Sequence, residues 1–423
     1  MVSVMKWLKE VIAKVNKYPV DRHSIPQSLL NVEEKTRASI FPWRGQFTPE
    51  FIEVLLTYYS HNGNVVLDPF VGSGTVLFEA ARKRLECHGT EINPAAIEIA
   101  KLSQFANIDT DDRMKYIKKA KDILSKVAGY ENLLNFMDGE EWHRKRKLSF
   151  EEAFVNAVKM APDELTRTLI ISTFMRSIAS KNKHLLNVFT IQAKAIRELP
   201  YSPKPCKVYL CDARMLPFAD ESVDLIITSP PYINVINYHQ SYRPLMELLG
   251  WDMLYVAKSE IGSNRKHRQN RFLTVIQYCL DMLQALCEMR RVIKPNGRVI
   301  IVIGRESKVR GVSFENYKIL SALAIGGSGF ELICRQERKY INRFGERVIE
   351  DILHFSPIEK EVPRADHKFA RSIARYFLES ALENVKGSIR EDVREDIASA
   401  INEINAVTPS PIFDPKRARK AKC

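Results

Sequence analysis

Residues 64–75 read NVVLDPFVGSGT. Asn64 to Asp68 is a short apolar run that stops at Pro69. Gly72 and Gly74 sit in the turn that follows, and from Thr75 to Arg84 apolar residues recur at helical spacing. The stretch predicts strand, tight loop, helix. The next apolar run, LECHGTE from Leu85 to Glu91, again ends in a carboxylate. NPAAIEIAK follows, with Asn93 and Pro94 in the N-cap and first helical positions. Repetition of the pattern predicts a parallel βαβ unit and an α/β fold.

Working outward, strand signals vanish from about Asp109 to Leu199, where long helical patterns such as FEEAFVNAVKMA take over as an insertion. Strands are predicted again at Cys206–Cys211, Val223–Thr228, Arg298–Ile303, Phe330–Gln336 and Asp351–Ser356, with the turn KPNG (Lys294 to Gly297) introducing the third of these. Ala365 to Ala406 reads as helix, and PKRARKAK reads as a flexible basic tail. The expected organisation is an N-terminal helical segment (1–40), a first, cofactor-binding part of the catalytic domain (41–108), a helical insertion (109–199), a second part with the catalytic loop (200–357), and a C-terminal helical segment with the tail (358–423).

Hydrophobic residues make up 45% and charged residues 27% of the 423, the balance of a globular chain rather than a disordered one. No apolar run approaches the roughly 20 residues of a membrane span, and the amphipathic N-terminus lacks a signal-peptide core, so a cytoplasmic protein with no membrane partner is expected. The scattered cysteines form no CxxC pair and no cysteine–histidine cluster of zinc spacing, which argues against a metal site. Lys and Arg outnumber Asp and Glu by 64 to 51, a net charge of +13 that suits either a polyanionic partner or a merely solvated basic surface.

DPFVGSGT (Asp68 to Thr75) sits where a strand hands over to a helix. Glycines there let backbone approach a ligand, and the helix N-terminus offers amide donors. Glu91, at the end of the next strand, is placed to meet a ribose. No Lys follows the last glycine, and Leu77 stands where a dinucleotide fingerprint has its third glycine, so the string favours a nucleoside ligand without a phosphate. SPPY (Ser229 to Tyr232) follows the apolar strand DLIIT. Its two prolines force the chain out of the sheet in a rigid, extended form. The Ser229 hydroxyl and the Pro230 carbonyl can then accept hydrogen bonds from an amino group, while Tyr232 offers a stacking face. Each string alone also fits a bland role, a glycine turn beside a surface glutamate and a rigid loop with a packed tyrosine.

Together, DPFVGSGT and TSPPY resemble the amino-methyltransferases that modify N4 of cytosine or N6 of adenine in DNA. FPWRGQFTPEF is similar to the segment that closes over the cofactor in that family, and LCDARMLPFADESVDLIITSPPY to the stretch leading into its catalytic loop. The resemblance implies a Rossmann-like sheet that binds S-adenosylmethionine. Asp68, Phe70, Gly72 and Gly74 would line the methionine side of the cofactor, with Phe47, Pro69 and Thr75 also in the cofactor site, Glu91 would take the ribose hydroxyls, and Asp212 would lie near the adenine. Ser229, Pro230, Pro231 and Tyr232 would hold a base flipped out of double-stranded DNA.

Ser rather than Asp at the head of the catalytic motif leans towards cytosine N4, with adenine N6 close behind. A cognate restriction endonuclease acting on the same site is the partner the resemblance suggests; nothing in the sequence speaks to oligomeric state. The basic loop SNRKHRQNR offers Arg265, Lys266, Arg268 and Arg271 to phosphates, and HRKRK (His143 to Lys147) is a second candidate. The rival readings are an RNA guanine-N2 methyltransferase, which shares the glycine loop, and a catalytically silent DNA-binding protein.

Overall fold

A computed structural model describes residues 2–43, 45–132, 148–181, 184–233, 238–263, 267–341, 345–358, 365–385 and 390–420. Helices α1 (Val2–Lys17), α2 (Gln27–Asn31) and α3 (Pro49–Tyr59) lead to β1 (Val65–Asp68), α4 (Thr75–Arg82), β2 (Glu86–Glu91) and α5 (Pro94–Ala100). Between β2 and β3 the described residues form α6 (Thr110–Asn132), α7 (Phe150–Met160), α8 (Glu164–Ser180) and α9 (Leu185–Arg197). The chain then returns through β3 (Cys206–Leu210) and β4 (Val223–Thr228), followed by α10 (Arg243–Leu248), α11 (Met253–Ser259), α12 (Leu273–Val292) and β5 (Ile293–Gly304). The short hairpin β6 (Glu306–Val309) and β7 (Val312–Glu315) precedes α13 (Asn316–Gly327), β8 (Phe330–Ile341), β9 (Arg347–Pro357), α14 (His367–Asn384) and α15 (Glu391–Asn402).

The main sheet runs β3-β2-β1-β4-β5-β9-β8. The pairs from β3 through β5 are parallel, whereas β9 runs antiparallel to both its neighbours. This is the expected Rossmann-like sheet, with helices on both faces. Near-continuous apolar strands are what a sheet buried on both faces requires. In β1, Leu67 joins the core beneath α12 and α13 while its neighbour Val66 joins the core against α3 and α4. Ile226, Val299 and Ile301 alternate with Leu225 and Ile300 between the same two cores. A third core lies among the insertion helices and takes in Leu245, Met246 and Trp251 from the α10–α11 region. Among the described residues no helix is long and apolar enough to cross a membrane.

Three expectations are corrected. KPNG does not precede a strand but is a bulge within β5: Val223 of β4 pairs with Ile293 and Leu225 with Arg298, so the extra residues loop out without ending the pairing. Strands β8 and β9 extend well beyond the apolar runs into one long hairpin, because their charged residues pair with one another, as Arg338 with Glu350 and Arg335 with Asp351. The described part of the terminal basic segment is not a loose tail. The Asp252 N–H donates to the Ala418 carbonyl at 2.8 Å and the Lys420 N–H to the Gly250 carbonyl at 2.9 Å, while Arg419 lies 4.3 Å above the Trp251 ring. Aromatic and backbone partners in the α10–α11 turn outweigh the pull of solvent on these cations.

Candidate active site

Strand order reverses between β1 and β4, and in such sheets ligands bind beyond the carboxyl ends of the strands at that point. Asp68 ends β1 and Thr228 ends β4, and the Thr228 hydroxyl donates to Asp68 Oδ1 at 2.6 Å. One buried bond thus ties the glycine loop to the strand that launches SPPY. The same carboxylate oxygen accepts the Phe70 N–H at 3.1 Å. The loop is also pinned to β2, through the Val71 N–H to the Thr90 carbonyl and the Thr90 hydroxyl to the Pro69 carbonyl. Gly74, the N-cap of α4, has φ 86°, and a Cβ there would lie 3.0 Å from Ala100 Cα, so only glycine lets α4 start this close to α5.

Glu91 is held from three sides. Its Oε1 accepts the N–H groups of Ile92 and Asn93 at 2.9 and 3.0 Å, and its Oε2 accepts that of Gly72 at 3.2 Å. The Asn93 side chain caps α5 and donates to the Tyr238 carbonyl at 2.9 Å, which brings the segment after SPPY to the end of β2. Trp43 lies nearly parallel to the Tyr238 ring, with centroids 6.5 Å apart.

These elements enclose a cavity of about 970 Å³ including its open mouth. Of the residues expected at the cofactor, Phe47, Asp68, Pro69, Phe70, Gly72, Thr75, Glu91 and Asp212 line it, whereas Gly74 stands behind the wall and acts on loop shape alone. Burial pushes the carboxyls of both Asp68 and Glu91 up to about 7; the charge of Glu91 adds to the rise at Asp68, and that of Glu260 to the rise at Glu91. A cavity with two desolvated carboxyls repels phosphates and suits a cation. S-adenosylmethionine fits that chemistry, with a sulfonium and an ammonium on one nucleoside. Ser259 supports the fit from the opposite wall: it is buried, lines the cavity, and its hydroxyl has no partner among the described residues.

A second cavity, about 770 Å³, adjoins the first and shares Gly45, Gln46, Phe47, Ser229, Pro231 and Tyr238 with it. All four SPPY residues line it. The Tyr232 hydroxyl and Ser229 Oγ lie 3.3 Å apart, and the Tyr232 ring packs so closely on Gly304 that a Cβ there would come within 2.9 Å. Burial pushes the phenol well above its ordinary value, so it stays protonated. The far wall comes from the β8–β9 hairpin: Arg338 Nε donates to Glu350 Oε2 at 2.6 Å and the Tyr340 hydroxyl to Glu350 Oε1 at 3.2 Å.

Sequence reasoning missed Thr228, Ser259, Arg338 and Glu350. Thr228 carries a signal, a polar residue closing an apolar strand directly before SPPY; the other three lie far from either motif. Arg268 and Arg271 are exposed on a loop that Asn270 anchors to the Asp396 carbonyl, and that loop leaves from Gly262, which abuts the Tyr232 carbonyl. Arg265, Lys266 and His143 to Lys147 lie outside the described residues.

Residues 6–102 match the DNA methylase family model. The chain is 34% identical over 111 residues to the Type II methyltransferase M.HpaI of Haemophilus parainfluenzae, covering 25% of this chain and 34% of that protein. It is 22% identical to M.MjaII of Methanocaldococcus jannaschii over 40% of this chain and 30% of that one. It is 24% identical to M.MvaI of Kocuria varians, over 66% and 78% respectively. The chain thus spans about a third of the length of the first two of these relatives. A solved S-adenosylmethionine-dependent methyltransferase from Methanosarcina mazei superposes at a TM-score of 0.33 with 13% identity over 72% of this chain and 98% of that one, too loosely to add to the strand order itself. With the glycine loop, the two-carboxyl cavity and the SPPY strand end in place, the chain matches the DNA methylase family over residues 6–102 and is similar to Type II methyltransferases over the parts covered.

Proposed function

We propose that the protein is a site-specific methyltransferase acting on double-stranded DNA, and that its target atom is N4 of cytosine. The observation that carries this is the shared wall: Ser229 and Pro231 face both the acidic cavity and the adjoining one, so a base held by SPPY lies next to the cofactor. S-adenosylmethionine, when bound, supplies an electrophilic methyl group on a sulfonium. The amino nitrogen of a base is a poor nucleophile, since its lone pair is delocalised into the ring. Ser229 Oγ and the Pro230 carbonyl, as acceptors for its hydrogens, favour the pyramidal form in which the lone pair is available. Tyr232, kept protonated, supplies a stacking face and a hydroxyl for Ser229 rather than a base. Among the described residues no cysteine lines the cavity that holds all of SPPY, where attack at a ring carbon would need one; Cys211 lines the first cavity, and burial pushes its thiol up to about 11.

Serine at the head of the motif supports cytosine over adenine. Arg268 and Arg271, with the neighbouring Arg265 and Lys266, are assigned to the DNA backbone, and the helical insertion 109–199 to reading of the target. The names of the Type II relatives support a restriction-modification setting with an endonuclease of the same specificity. Incubation with methyl-tritiated S-adenosylmethionine and either duplex DNA or transfer RNA tests the class. Label in the duplex is expected; label in transfer RNA alone, or in neither, overturns it.

A further inference from the structure

After α15, residues 410–413 pack on Arg214, Asp281 and Asp212, behind a wall of the cofactor cavity, and residues 418–420 pack on the turn between α10 and α11. Arg214, whose side chain is wholly buried, is the hub. Its Nε and Nη2 donate to Asp212 Oδ1 and Oδ2 at 2.9 and 2.7 Å. Its Nη1 donates to Asp281 Oδ1 at 3.0 Å and to the Ser410 carbonyl at 2.8 Å, and Nη2 also reaches the carbonyls of Pro411 at 2.9 Å and Ser259 at 3.3 Å. Asp281, itself buried, accepts both the N–H and the hydroxyl of Ser410, at 2.7 and 2.6 Å. The Phe413 N–H completes the ring by donating to Asp212 Oδ2 at 2.9 Å.

The consequence for the cavity lies in hydrogen-bond capacity. Asp212 Oδ1 takes the N–H and Nε of Arg214, and Oδ2 takes Arg214 Nη2 and the Phe413 N–H. A carboxylate has about four acceptor sites, so Asp212 is used up by the protein and has none to offer a ligand. Ser259 lies on the same wall; the residue is 1% exposed and its hydroxyl has no partner among the described residues. A buried orphan hydroxyl is unfavourable unless a ligand satisfies it.

We propose that residues 408–420 are a working part of the cofactor site: through Arg214 and Asp281 they hold the Asp212–Ser259 wall, and the Ser259 hydroxyl is the group on that wall that hydrogen-bonds to bound S-adenosylmethionine. Ser410 and Asp281 are positioning residues, since neither lines the cavity. The inference rests on the cofactor assignment and not on the identity of the methylated base.

The test is calorimetry of the full chain with S-adenosylhomocysteine, below the unfolding midpoint of each variant, together with initial rates on duplex DNA at varied S-adenosylmethionine. Ser259→Ala is expected to weaken binding about fivefold, and Ser410→Ala and Asp281→Asn about tenfold, the range for loss of neutral and charge-assisted hydrogen bonds. For the two positioning variants the Michaelis constant for S-adenosylmethionine rises more than kcat falls, duplex affinity holds, and Ser410→Thr, which keeps the hydroxyl, retains affinity. Affinities within twofold of the wild type in Ser259→Ala and Ser410→Ala overturn the proposal, as does a loss that only tracks a smaller folded fraction. A wild-type chain that binds no S-adenosylhomocysteine overturns the cofactor assignment and this proposal together. One that binds it but methylates no duplex overturns the DNA reading alone, because the calorimetric comparison still decides the role of residues 408–420.

Discussion

The two strand ends that meet at the centre of the sheet are built by different means. The end of β1 is mostly local: the glycine loop, Asp68 and Glu91 lie within one βαβ unit and are fixed by hydrogen bonds inside it, with the Thr228 hydroxyl reaching Asp68 from β4. The end of β4 is assembled from a distance, since Tyr232 rests on Gly304 of β5 and faces Arg338 and Glu350 from the β8–β9 hairpin. The first arrangement makes an acidic cradle of fixed shape, and the second a pocket whose form depends on packing between remote elements. Changes at β1 should therefore act on cofactor binding, and changes at β4 on turnover.

The largest expected effect is at Gly74. Gly74→Val places a branched side chain at φ 86° against Ala100, and the strain plus overpacking costs about 2–4 kcal/mol. Calorimetry should show S-adenosylhomocysteine binding lost, with the thermal midpoint lowered; retained affinity would mean that the loop does not set the cradle. Gly304→Ala probes the other end, where the new Cβ meets the Tyr232 ring. A penalty of about 1–3 kcal/mol should appear in kcat and leave S-adenosylhomocysteine affinity nearly intact. An equal fall in both would erase the distinction between the two ends. Tyr232→Ala should forfeit stacking worth about 1–3 kcal/mol, again in turnover, with the salt dependence of DNA binding unchanged.

How much of this is legible in the sequence follows the same divide. Asp68, Glu91 and SPPY are readable because the residues that define them are contiguous and the strand–loop–helix pattern places them. Arg338, Glu350 and Ser259 are not, because their roles come from partners brought together across the fold, as in the reach of Arg214 to Ser410 and Pro411. The terminal PKRARKAK misleads for a physical reason: a run of cations reads as solvated, and only the fold brings Trp251 and the turn carbonyls within reach of it. Gly74 does belong to the loop, as its place in the motif implies, but its missing side chain serves Ala100 rather than the ligand.

A smaller effect concerns pH. Burial holds the carboxyls of Asp68 and Glu91 protonated up to about 7, whereas in an unfolded chain they ionise near about 4. The native state thus binds more protons between those limits, and the stability these groups contribute is fully present below about pH 4 and declines as pH rises to 7. Relative to Asp68→Asn, the thermal midpoint of the free chain should fall between about pH 4 and 7. Stabilisation by S-adenosylmethionine, a cation, should grow over the same interval. Parallel curves for the two proteins would place the titration elsewhere. The smallest effect is at the surface: Arg268→Ala with Arg271→Ala should flatten the log–log salt dependence of duplex binding by about 0.9 for each phosphate no longer neutralised, and leave site preference intact.

The most direct measurement is the identity of the modified nucleoside. Duplex DNA treated with the protein and S-adenosylmethionine, digested to nucleosides and resolved by mass spectrometry against standards, is predicted to contain N4-methylcytosine. N6-methyladenine would keep the amino-group chemistry of SPPY and overturn the assignment to cytosine. 5-Methylcytosine, or unmodified DNA, would contradict the account at its centre.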